Sequence, residues 1–71
     1  MTKFLEDEIY LDYMNKEAER FLKEADAVLN LGDKEKALEL AISARKNFEP
    51  SEFYQTHRED FERIEMQSRE S

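Results

Sequence analysis

Residues 29–50 read LNLGDKEKALELAISARKNFEP, and they decide the fold, because they carry the chain's one glycine, Gly32, and its one proline, Pro50, with a ladder of small residues between. Glycine accepts the left-handed backbone conformation that ends a helix, and an aspartate directly after it is a good N-cap for the next. LGD is therefore expected to be a turn between two antiparallel helices. A helix turns by about 100° per residue, so the segment 34–47 places Ala37, Ala41, Ala44 and, just beyond it, Phe48 on one line, flanked by Leu38, Leu40 and Ile42. This apolar arc exceeds half the circumference, which predicts a helix sandwiched between two others.

Pro50 forces the residue before it out of helical geometry and stops the second helix. Ser51 then caps a third helix over 52–68, with Glu52 in its first turn, where the helix dipole favours an acid. Phe53, His57, Phe61 and Ile64 form its inward stripe, and Glu59–Arg63 and Glu65–Arg69 are expected ion pairs at i, i+4.

Upstream, no glycine or proline interrupts Lys3 to Leu31. One register puts Phe4, Leu11, Met14, Ala18, Phe21, Leu22, Ala25, Val28 and Leu29 on a single stripe. The expectation is one helix over 3–31, about 43 Å long at 1.5 Å per residue. The alternative is a break near LDYMN, with Asp12 or Asn15 as the new N-cap. The fold class expected is all-α: a three-helix bundle with a long first helix and an antiparallel hairpin, in one small domain spanning 1–71.

The segment MNKEAERFLKEADAVLNLGDKEKALELAISARKNFEP, residues 14–50, resembles a single tetratricopeptide-type helical hairpin, on Ala25, the Gly32–Asp33 turn, Ala37, Ala44 and Pro50. The aromatic usual near the middle of that motif's second helix is Ala41 here. The hairpin with a third helix is also similar to the microtubule-interacting-and-trafficking type of domain. An NKEAER-like opening resembles the region ahead of the J domain in some chaperone cofactors. These resemblances imply a groove between helices that receives a partner's helix or extended segment.

Composition narrows the function. With 39% hydrophobic and 41% charged residues the chain is too apolar for a disordered tail and too polar for a membrane protein. No apolar run approaches the roughly 20 residues of a bilayer span, and the opening MTKFLEDEIY lacks the basic-then-apolar layout of a signal peptide. A cytoplasmic protein without membrane contact is expected. A net charge of −7 disfavours direct nucleic-acid binding, which needs a basic stripe. The absence of cysteine leaves stability to packing alone.

Little in the sequence suggests catalysis. His57 is the single histidine, which removes multi-histidine metal sites and most nucleophilic triads; a partly buried, locally bonded ring is expected there. The acids at 6–8 point about 100° apart on a helix and cannot converge on a cation. No enzyme activity, cofactor or metal is expected.

The first turns carry the functional expectation. Leu5, Ile9 and Tyr13 follow one another at i, i+4 and i+8, opposite Phe4, Leu11 and Met14, so this end is apolar on two sides. The second helix is half as long as the first and cannot cover all of it. The segment either bends at Asp12 and packs back on the bundle, pairs antiparallel with a second copy, or docks on another protein. The leading expectation is a small acidic interaction module, an adaptor or inhibitor. It presents Leu5, Ile9 and Tyr13 to a partner or to itself, with Glu6, Asp12 and Glu17 as an acidic rim selecting a basic counterpart. The alternative is an acidic nucleic-acid mimic that blocks a DNA- or RNA-binding protein, although Lys16, Arg20, Arg58 and Arg63 interrupt its acidic faces.

Overall fold

The structure, a computed structural model, describes the backbone of residues 2–70 and the side chains of residues 9–70. It is all-helical over that range, with α1 at Thr2–Asn30, α2 at Lys34–Phe48, α3 at Glu52–Thr56 and α4 at Arg58–Arg69. The four helices pack together, and α2 makes its most extensive contacts with α1 and then with α4.

Backbone hydrogen bonds at the α1–α2 turn explain its composition. The Asp33 N–H donates to the Val28 carbonyl at 2.9 Å and the Gly32 N–H to the Leu29 carbonyl at 3.0 Å, the bond pair of a Schellman motif. Gly32 has φ +92°, a conformation that L side chains rarely adopt. The Asp33 carboxylate then accepts from the Lys36 N–H at 3.0 Å and caps α2.

A Cβ on Gly32 would meet open space, so the glycine answers to its backbone angle alone. Gly32→Ala is expected to cost about 1–2 kcal/mol, the typical strain of a left-handed L residue. A urea titration checks this: an unchanged midpoint would mean that the lower entropy of the unfolded alanine chain cancels the strain.

The core divides into two clusters joined by Phe21 and Leu22. Ala25, Ala37, Leu40, Ala41 and Ile64 form the first. Ala44, Tyr54 and Phe61 form the second, with Phe48 and Phe53 packed against it. Ala18 and Ala25 of α1 and Ala37, Ala41 and Ala44 of α2 are almost fully buried, and their small size lets the backbones approach. Tyr54 stacks on Phe61 with centroids 4.5 Å apart, and burial pushes its phenol above the usual value.

Some of the expectations are corrected and others are kept. The helix expected over 52–68 is two helices meeting at His57, whose backbone at φ −108°, ψ 23° leaves helical geometry. The His57 N–H closes α3 on the Phe53 carbonyl at 3.0 Å, and the His57 carbonyl opens α4 by accepting from the Phe61 N–H at 3.1 Å. The first helix is continuous through LDYMN, and Leu31 stands in the turn, 84% exposed. Leu11, expected on the inward stripe, is 47% exposed because the bundle ends before reaching it. Arg63 lies 3.9 Å from both Asp26 and Asp60, in place of the expected Glu59 pair. The Arg69–Glu65 pair forms at 3.0 Å, and Arg45 of α2 reaches the same carboxylate oxygen at 3.0 Å.

Candidate functional site

The mismatch in helix lengths creates the site. With 29 residues against the 15 of α2, α1 runs past its neighbours, and the particle is drawn out to 51 × 17 × 15 Å. Met14, 4% exposed, is the first side chain of α1 that the bundle buries among those described. The turns before it form an arm.

On this arm Ile9 is 69% exposed, Tyr10 61% and Tyr13 56%. Ile9 and Tyr13, one helical turn apart, share the face turned away from the core stripe. Tyr10 and Leu11 lie toward the stripe and are exposed there, short of where the bundle begins at Met14. Four large apolar or aromatic side chains within five positions are thus open to solvent around the rod.

The expected acidic rim is largely paired along the helix. Asp12 sits 3.2 Å from Lys16, with both side chains mostly exposed. Glu17 receives two bonds from the Arg20 guanidinium, at 2.7 and 3.1 Å, and the hydrogen bond to Arg20 holds its carboxyl below the usual value. The side chains of Leu5 and Glu6 lie outside the described residues.

At the foot of the arm is a feature that the sequence did not suggest. The Phe53 N–H donates to Asn15 Oδ1 at 2.8 Å, so Asn15 caps α3 from across the bundle and does not start a helix of its own. The neighbouring Tyr54 N–H donates to Ser51 Oγ at 3.1 Å. His57 stacks on Phe53 at a centroid distance of 4.0 Å, and its Nδ1 lies 3.0 Å from the Phe53 carbonyl oxygen. That bond requires a hydrogen on Nδ1, which leaves Nε2 of the neutral ring as an acceptor. Asn15, Glu52, Phe53, Thr56 and His57 line a shallow groove here. The signal is invisible to local pattern reading, because Asn15 and Phe53 are 38 residues apart.

Asn15→Ala removes an acceptor and leaves the Phe53 N–H without this partner. A loss of about 1–2 kcal/mol is expected, the usual cost of deleting a capping side chain. Faster amide exchange at Phe53 than in the parent would check the assignment, and an unchanged rate would contradict it.

Among the described residues, no three His, Asp or Glu side chains gather as metal ligands would. No helix there is long and apolar enough to cross a membrane. No family model matches the chain, and neither the curated proteins nor the solved structures give a match.

Proposed function

We propose that the protein is a helical interaction module of the adaptor or inhibitor kind, and that the arm of α1 is its docking element. The observation that carries this reading is the exposure of Ile9, Tyr10, Leu11 and Tyr13 on a rod whose continuation is the core of the bundle. A helix apolar on more than one side is stable in water at a cost that a covering partner removes. The bundle orients the arm, because the helix that presents it also supplies Phe21, Leu22 and Ala25 to the core. A partner thus meets a pre-formed helix and forfeits little ordering entropy on binding.

Ile9→Asp tests the reading by sedimentation and by recovery of bound proteins. The variant is expected to lose what the parent binds while keeping its fold; identical mass and identical partners would refute the proposal. The mimic reading gains no support from the acids of α1, since Asp12, Glu17 and Glu19 each face a base on their own helix.

A further inference from the structure

We infer that the occupant of the arm is a cationic amphipathic helix of another protein rather than a second copy of this chain; this rests on the docking role proposed above. Residues 1–13 hold one lysine, Lys3, against four acids, Glu6, Asp7, Glu8 and Asp12, a formal −3 out of the −7 of the whole chain. Nearly half the net charge thus sits in under a fifth of the length, on the segment with the exposed apolar side chains.

Antiparallel pairing of two arms would set one −3 segment against another. Like charges across an interface act against association, while an opposite field speeds encounter and fixes register. A helix with a leucine-type stripe bordered by lysine or arginine satisfies both halves of the surface. Its stripe covers Ile9 and Tyr13, and its bases meet the acids. Lys16 lowers the charge only at the foot, where it pairs with Asp12. There the groove between Asn15 and Phe53 is bordered by another exposed acid, Glu52. One acid of α3, Glu52, therefore lies at the foot of the arm.

The test titrates the full 71-residue chain with a synthetic helical peptide carrying leucines at heptad spacing and lysines elsewhere, and with its counterpart bearing glutamates for the lysines. Amide chemical shifts and calorimetry are the readouts. The lysine peptide is expected to bind, with shifts concentrated from Ile9 to Asn15, and the glutamate peptide to bind at least about tenfold more weakly, a difference near 1.4 kcal/mol. Ile9→Asp should weaken the lysine peptide although it adds negative charge, which separates apolar docking from simple attraction. Neutralising the acids of the first thirteen residues with Glu6→Gln, Asp7→Asn, Glu8→Gln and Asp12→Asn should also cost about tenfold.

Equal binding of the two peptides, or no loss in the neutralised chain, overturns the cationic assignment and leaves the arm as a docking site. Lysine-peptide shifts spread evenly over all acidic residues overturn it as well, and so does a dimer of the free chain that Ile9→Asp dissolves. If neither peptide touches the arm and Ile9→Asp changes nothing in any assay, the docking role itself falls.

Discussion

Phe61→Ala is expected to leave about half or more of the chains unfolded at room temperature. Phe61 is 1% exposed, stacks on Tyr54 and belongs to the cluster containing Ala44, where Phe21, Leu22, Phe48 and Phe53 also pack. Truncating a buried phenylalanine to alanine costs about 3–5 kcal/mol, made up of the lost transfer energy and the cavity left behind. A core of this size supplies only about 3–5 kcal/mol in total. The two figures are equal within their spread, so one side chain decides whether there is a fold. Circular dichroism during heating checks this: the variant should show a shallow, non-cooperative loss of helix, with a cooperative melt restored in Phe61→Leu. A cooperative transition within a few degrees of the parent would mean that the second cluster contributes far less than its burial implies.

The second large effect is on binding and leaves the fold intact. Ile9 is 69% exposed, and substitutions at such positions change stability by about 0.5 kcal/mol or less. If the arm is the docking element, Ile9 is one of its anchors, and losing an anchor costs about 2 kcal/mol or more, roughly thirtyfold in affinity. Ile9→Asp should therefore melt like the parent and bind far more weakly. The pairing of these results is the informative part. Weaker binding together with a lower melting point would instead show that Ile9 supports the bundle.

The turns and caps were legible because their rules are local. Gly32, Asp33 and Ser51 each act on backbone groups within five residues. The burial of Ala37, Ala41 and Ala44 followed from helical spacing alone. What could not be read depends on where elements end relative to one another. Leu11 has the register of a core residue and is exposed because no neighbouring helix extends that far. Phe53 and His57 have the spacing of an inward stripe, yet the stacked rings and the Asn15 bond make their segment a joint between two short helices. The groove at the foot of the arm arises from that joint, and its parts come from distant stretches of chain. Leu5 and Glu6 of the expected face lie outside the described side chains, so among the expected face residues the arm is defined by Ile9, Asp12 and Tyr13, joined by Tyr10 and Leu11.

Everything functional depends on the arm standing clear of the bundle, and solution scattering measures that directly. A compact domain of this length has a radius of gyration of about 11 Å, whereas the extended rod gives 13.3 Å over Cα atoms and a long dimension of 51 Å. At a concentration where sedimentation reports one chain per particle, the larger radius and the longer dimension are expected. A particle near the compact value, with the first turns folded back over Phe53 and His57, would contradict it.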